Sequence, residues 1–327
     1  MTDSKIGKAI LKSRNIKDTS LKLYLNNLKK LNLLYSGIKE IPDNTKFLKD
    51  FKKISELIDK EEKITTRKNL LTAALVGLSS DTKLDNDMIE KYQDKLKYLT
   101  NQYNDTQMLQ KKTKTQEENW LEFSDLIKIS NELFDDIKTD GLMSKKELTN
   151  KEYNTIQKFV LLSLYIHHPM RNDIADMKVL TKEEYDKLPK NIQCSNNFFV
   201  NQSKKVKRII LNQFKTRDKL GCIEIPLGSK MCNIINNWLK VNNSGWLFTK
   251  SDRITPISPN GVTKLFNNIF HYKADGKKIS SSMIRHIVIS HDLKDTLTLA
   301  DEKDKSDKIK TKYQHSKEMN QLYRKVD

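Results

Sequence analysis

Residues 207–227 read KRIILNQFKTRDKLGCIEIPL. Two β-rich runs, KRIILNQF (207–214) and CIEIPL (222–227), flank the polar segment KTRDKLG, which contains Gly221. β-Branched side chains suit a pleated strand, and a polar, glycine-bearing interruption suits a turn. A strand, a turn and a second strand are expected here, with FFVN (198–201) adding a strand just upstream. Such signals occur only in the second half of the chain, so the expected sheet is small and antiparallel.

Outward from this segment the periodicity becomes helical. Downstream, MCNIINNWLKV reads as helix, NNSGWLF as loop and PNGVTKLFNNIF as helix. Upstream, a helix is expected over roughly 150–168, its run FVLLSLYI buried on most sides, and another around Trp120, Leu121, Phe123, Leu126 and Ile127. In residues 19–35, Leu21, Tyr24, Leu25, Leu28 and Leu31 fall at helical spacing behind Thr19 or Ser20 as N-cap. The pattern returns over 45–59 (Phe47, Leu48, Phe51, Ile54, Leu57, Ile58), over 65–78 with Thr caps and Gly77 near its end, and over 86–105. Six Pro and nine Gly leave room for long helices. Residues 106–118, polar and without an apolar stripe, read as a linker. The expected fold is mostly α with a small antiparallel sheet in the C-terminal domain. Its parts are a helical domain over 1–105, a linker over 106–118 and a second domain over 119–327.

Composition narrows the partner. The 327 residues carry 60 Lys plus Arg against 42 Asp plus Glu, a formal net charge of +18. A lysine-rich solvated surface is the ordinary explanation, but an excess of this size favours a polyanion, nucleic acid first. No apolar run approaches the ~20 residues of a membrane helix, and the first residues lack the pattern of a secretory signal. Cys194, Cys222 and Cys232 are odd in number and lack C-x-x-C spacing, so neither a disulfide framework nor a zinc site is expected.

Four stretches carry candidate chemistry. In HPMRNDIADMKV (168–179), Arg171 follows a buried-type helix, with Asp173 and Asp176 near enough to orient it. Lys215 stands where a strand enters its turn, a position from which a lysine can serve as a mobile proton donor. In GKKISSSMIRHIVISH (276–291), Arg285 interrupts an apolar pattern of Met283, Ile284, Ile287, Val288 and Ile289, where an unpaired cation is costly. His286 and His291 read there as helix-surface or packing residues. In KYQHSKEMNQLYRKV (312–326), His315 precedes Tyr323 by eight residues. Each stretch alone has a plain structural explanation: a surface arginine at a helix start, a solvated hairpin, a lone histidine or tyrosine.

Taken in order, Arg171, Lys215, Arg285, His315 and Tyr323 resemble the catalytic residues of the tyrosine recombinase, or phage-type integrase, superfamily, closest in flavour to integrases of virophages and large eukaryotic DNA viruses. Arg171 matches the family's first arginine after a buried helix. Lys215, in F-K-T before I-E-I-P-L, matches the hairpin lysine. Arg285, in S-M-I-R-H, matches the second arginine, and Gln314-His315-Ser316 with Tyr323 match the closing segment. Three departures stand out. Ser282 replaces the usual histidine three residues before Arg285. The acidic neighbour, Asp173, follows the first arginine by two residues rather than three. Only four residues follow Tyr323, so no long C-terminal helix donated to a neighbouring subunit is expected. Lys204, Lys205 and Lys207 are rivals to Lys215.

The resemblance implies a core-binding N-terminal domain, a catalytic C-terminal domain and the two closing around double-stranded DNA. It implies a site-specific recombinase or integrase acting through a 3′-phosphotyrosyl intermediate, without metal, ATP or other cofactor, as a homo-oligomer, a tetramer on synapsed sites. Tyr323 would be the nucleophile, Arg171 and Arg285 the phosphate clamps, His315 a further phosphate donor and Lys215 the general acid, with Asp173 and Ser282 in support. An intracellular protein of host cytoplasm or nucleus, integrating or excising a viral or mobile genome, is expected. A type IB topoisomerase using the same chemistry, or a decayed DNA-binding protein on the same scaffold, are the alternatives.

Overall fold

A computed structural model describes residues 4–80, 86–294 and 323–325. The chain forms two compact units, residues 1–109 and 110–327.

The first unit is helical: α1 (Lys5–Ser13), α2 (Asp18–Ser36), α3 (Phe51–Asp59), α4 (Ile64–Leu78) and α5 (Asn86–Met108). Leu21, Leu25, Leu28 and Leu31 of α2 are buried against Leu70, Leu71 and Ala74 of α4, Ile54 and Ile58 of α3, and Tyr92 of α5. The leucine stripe expected over 19–35 is therefore the core face. The caps differ from expectation. Helix α2 starts at Asp18 and α4 at Ile64, behind Lys17 and Lys63, and neither has a side-chain cap. Thr19, Ser20, Thr65 and Thr66 lie inside the first turns. The expected helix over 45–59 is divided because Asp50 caps α3 through Lys53 N at 3.2 Å, and a 3-10 turn, Lys46–Lys49, precedes it. Helix α1, unforeseen in the sequence, is capped by Ser4 and buries Ile6 and Ile10. At Gly77 a Cβ would lie 3.3 Å from Leu28 Cδ2, so α4 packs closely on α2 at this point.

The second unit contains α6 (Lys114–Asn119), α7 (Phe123–Thr139), α8 (Asn150–His167), β1 (Lys178–Thr181), α9 (Lys182–Lys187), α10 (Lys190–Ser195), β2 (Phe198–Asn201), β3 (Lys207–Leu211), α11 (Arg217–Leu220), β4 (Ile223–Pro226), α12 (Ser229–Val241), α13 (Pro259–Lys273) and α14 (Ser281–Leu293). The stretch read as a linker is partly helical: its first residues end α5, and a Thr113–Gln116 capping box starts α6. Helix α8 begins at a Thr149–Glu152 capping box, and every residue from Val160 to Ile166 is buried.

The sheet order is β1-β2-β3-β4. The three strands read from the sequence are β2, β3 and β4, and they pair antiparallel. Strand β1, not anticipated, pairs parallel with β2, so the sheet is mixed. A parallel neighbour requires a crossover, supplied here by α9 and α10. Alternation sends Phe199, Ile209 and Ile225 into the main core with Trp238, Phe266 and Ile284. Phe198, Val200 and Ile210 face the other way, where Leu180, Tyr185 and Leu188 cover them. Residues 245–247 run along the outer side of β1, with Val179 N donating to Gly245 O (2.9 Å) and Leu247 N to Met177 O (2.8 Å).

Candidate active site

Where α8 ends, His168 and Pro169 stop the helix and the chain turns through a 3-10 segment, Asn172–Ile174, with Arg171 at its N-cap. This corner is fastened on three sides. Tyr165 Oη lies within hydrogen-bond reach of Arg171 O (3.0 Å) and Asn172 Oδ1 (3.2 Å). Asn172 Nδ2 donates to Pro259 O (2.7 Å) and Thr263 Oγ1 (3.0 Å) at the start of α13. Asp176, at a positive φ of 54°, donates its N–H to Ile257 O at 3.1 Å. Asp176 is exposed, and neither it nor Asp173 forms an ion pair with Arg171 among the described residues.

Helix α14, capped by Ser280, carries Arg285 on its buried side at 4% exposure. The guanidinium lies over the Tyr323 ring, with Cζ 4.4 Å from the ring centroid. Arg285 and Arg171 act on each other. Burial pushes the Arg285 guanidinium down; the Tyr323 phenol opposes that, and the neighbouring Arg171 charge adds to it. Burial raises Asp173, while Arg171 and Arg285 both pull it back. Burial also raises the Tyr165 phenol, Asp173 reinforcing and Arg285 opposing. Tyr165, Arg171, Asp173, Arg285 and Tyr323 thus form one electrostatic cluster. Within it, Arg171 Nη1 and Asp173 Oδ2 are buried and make no hydrogen bond among the described residues.

His286, the next residue of α14, was read from the sequence as a packing or surface residue. Its ring sits 4.7 Å from the Tyr323 ring, and Nδ1 is 2.9 Å from Tyr323 O. A carbonyl only accepts, so the Nδ1 proton is donated to it. Burial lowers the imidazole to about 4, with the cations of Lys325 and Arg285 acting in the same direction and the Tyr323 carbonyl against them. One turn further, Ser290 Oγ accepts from Lys325 N at 2.8 Å. Helix α14 therefore fastens the backbone on both sides of Arg324. Periodicity could not reveal this, because it says which face of a helix is buried and not which distant residue returns to it. His291 stacks on Phe123 at 4.0 Å, a packing role as expected.

The remaining candidates are dispersed. Lys215 is exposed between β3 and α11, and its ammonium forms no hydrogen bond or ion pair among the described residues. Lys204 and Lys205 are exposed in the β2–β3 turn. Lys207 is 1% exposed, and its Nζ donates to Asn201 Oδ1 (2.5 Å) and Ser203 O (2.8 Å), so its ammonium is engaged within its own hairpin. Ser282 is exposed on the first turn of α14. His315 lies outside the described residues. Among the described residues, no three His, Cys, Asp or Glu side chains group to hold a metal ion, and no helix is long and apolar enough to cross a membrane. An apolar cavity of about 390 Å³ between α7, α8 and α12 is lined by Phe134, Phe159 and Trp238, and includes neither arginine nor Tyr323.

Two forked cations held close despite their repulsion, one with a buried N–H left over, are arranged for an anion that accepts from both. The adjoining phenol is a nucleophile of the right type to attack such an anion's electrophilic centre. No family model matches the chain, and no curated protein matches it. Among solved structures it is similar to the crystal structure of XerA recombinase, with a TM-score of 0.41 and 8% identity over 99% of this chain and 94% of that one. At that level of similarity, function has to be read from the site's own residues.

Proposed function

We propose that this chain is a site-specific DNA recombinase or integrase that cuts and rejoins strands through a covalent phosphotyrosyl intermediate. The observation that carries this reading is the convergence of Arg171 and Arg285 beside Tyr323, with Arg171 Nη1 buried and unbonded among the described residues. The two guanidiniums bind the non-bridging oxygens of a DNA phosphodiester and stabilise the charge that grows on them in the transition state. The Tyr323 phenol gives up its proton to solvent as its oxygen attacks phosphorus. The bond from phosphorus to the 5′ oxygen breaks, and Lys215 gives that oxygen its proton. The products are a 3′-phosphotyrosyl ester and a 5′-hydroxyl. Because one phosphoester replaces another, the reverse attack by a 5′-hydroxyl reseals the strand without an external energy source. His315 adds a phosphate hydrogen bond. Asp173 steadies the cation pair electrostatically, and Ser282, on the first turn of α14, has a supporting role. The chemistry uses neither metal ion nor ATP, and the protein acts as a homo-oligomer on paired duplex sites of a viral or mobile genome.

The test is a suicide DNA substrate whose cut end cannot religate. A protein–DNA adduct that survives denaturation is expected, and Tyr323→Phe should abolish it. Arg285→Ala should reduce the adduct at least a hundredfold, in line with losing one oxyanion-stabilising group. DNA affinity should fall less than tenfold, because many phosphate contacts share it. An undiminished adduct in Tyr323→Phe overturns the assignment of the nucleophile.

A further inference from the structure

Lys215 has no side-chain partner among the described residues, so the backbone that bears it decides where its ammonium can reach. That backbone is held by Asn197, which stands between α10 and β2. Asn197 Oδ1 accepts from Asn212 N (2.9 Å) and Gln213 N (2.8 Å). Asn197 Nδ2 donates to Gln213 O (2.8 Å) and to Asp173 O (3.0 Å). Both N–H groups and both acceptor sites of one carboxamide are thereby used. Two flanking bonds reinforce the junction: Asn212 Nδ2 donates to Asn196 O (3.0 Å), and Gln213 Nε2 to Cys194 O (2.7 Å).

The two ends of this bridge matter. Asp173 is two residues after Arg171, and Gln213 is two residues before Lys215. One side chain therefore ties the corner that carries the first cation to the strand exit that leads to the candidate acid. We infer that Asn197 is a positioning residue for proton transfer to the leaving 5′ oxygen. It fixes the Lys215 loop at a set distance from the phosphate held by Arg171. This rests on the recombinase reading above and assigns a further residue to the same site. All four side-chain bonds of Asn197 go to protein backbone, so in this reading it acts through the loop and not on the reacting atoms. Its effect is the placement of a flexible lysine, where a misplacement of about 1 Å costs on the order of a hundredfold in rate.

The experiment compares two substrates, an ordinary phosphodiester and one with a 5′-bridging sulfur, whose thiolate leaves without being protonated. Asn197→Ala is expected to cleave the ordinary substrate about a hundredfold more slowly, to regain most of the parent rate on the sulfur substrate, and to bind DNA as the parent does. Lys215→Ala should behave alike, and the double variant should be no slower than Lys215→Ala alone, since both changes remove one function. Asn197→Asp, which keeps the acceptors but sets a carboxylate against two carbonyls, should give the same pattern and serves if the alanine variant folds poorly. Equal slowing of Asn197→Ala on both substrates, or losses that multiply in the double variant, overturns the inference. Rescue of a Lys204 or Lys205 variant in place of Lys215→Ala overturns it as well. If the parent forms no Tyr323-linked adduct at all, the recombinase reading itself fails. If the parent forms it and Lys215→Ala is rescued while Asn197→Ala is not, only the positioning role fails.

Discussion

His286 gives the candidate site a pH dependence whose sign follows from burial. An imidazole at about 6.5 in the unfolded chain is held at about 4 in the fold. Between those values the unfolded chain binds a proton that the fold rejects, so acid favours unfolding. This contribution to stability is complete above pH 6.5 and is lost as pH falls from 6.5 towards 4, by roughly 3 kcal/mol at most. Thermal unfolding of the parent and of His286→Phe across pH 4–7 should show a shallower decline in the variant, and identical slopes would remove His286 from the account. At this scale the sequence was partly legible. Arg285 could be singled out because a cation inside Met283, Ile284, Ile287 and Val288 demands a reason, and the fold supplies one in the Tyr323 ring. His286 could not, because its partner is a backbone carbonyl at residue 323 and nothing in a helical repeat encodes that return. The lysines were ranked only by their neighbours, F-K-T before I-E-I-P-L putting Lys215 ahead of its rivals. Lys204, Lys205, Lys207 and Lys215 are alike as letters, and only the fold shows that Lys207 spends its ammonium on Asn201 and Ser203.

At the scale of elements, signals confined to a few neighbouring residues were the readable ones. The apolar run FVLLSLYI announces α8 and its burial on most sides, whereas the Thr149–Glu152 box that starts the helix was not singled out. Because α8 also delivers Arg171 at its end, its start is a place to measure. Thr149→Ala should cost about 1 kcal/mol in urea unfolding and leave the adduct yield per folded molecule unchanged. A loss of yield in a fully folded sample would mean that the helix start influences the site directly. Strand β1 escaped notice because KVLT is four residues long and its pairing partner is a parallel strand beyond two helices. Strand β2 does not alternate as a half-exposed strand would. Phe198 and Phe199 are both buried because α9 and the residues flanking it shield the second face of the sheet. The cap assignments at Thr19 and Thr65 failed because acceptable capping letters also occur just inside helices, and Asp50 was passed over because it interrupts an otherwise unbroken apolar rhythm.

For the whole molecule, a net charge of +18 and two separately cored units are what composition and periodicity could suggest. The choice between exchanging strands and merely swivelling them lies beyond any single site, because both use the same chemistry. Incubation with two labelled duplexes that share a target site should yield recombinant products if the proposed function holds. Relaxation of supercoiled plasmid lacking any target site, with no recombinants formed, would identify a topoisomerase instead. Either activity should weaken steeply as salt rises, since phosphate contacts dominate the binding. One feature of the small sheet bears on how such a basic protein behaves at high concentration. The outer side of β1 is already occupied by residues 245–247, and β4 is four residues long, carries Glu224 and ends at Pro226, which has no N–H to offer. Edges of this kind give a passing strand little to zip onto, so concentrated solutions should resist fibrous aggregation.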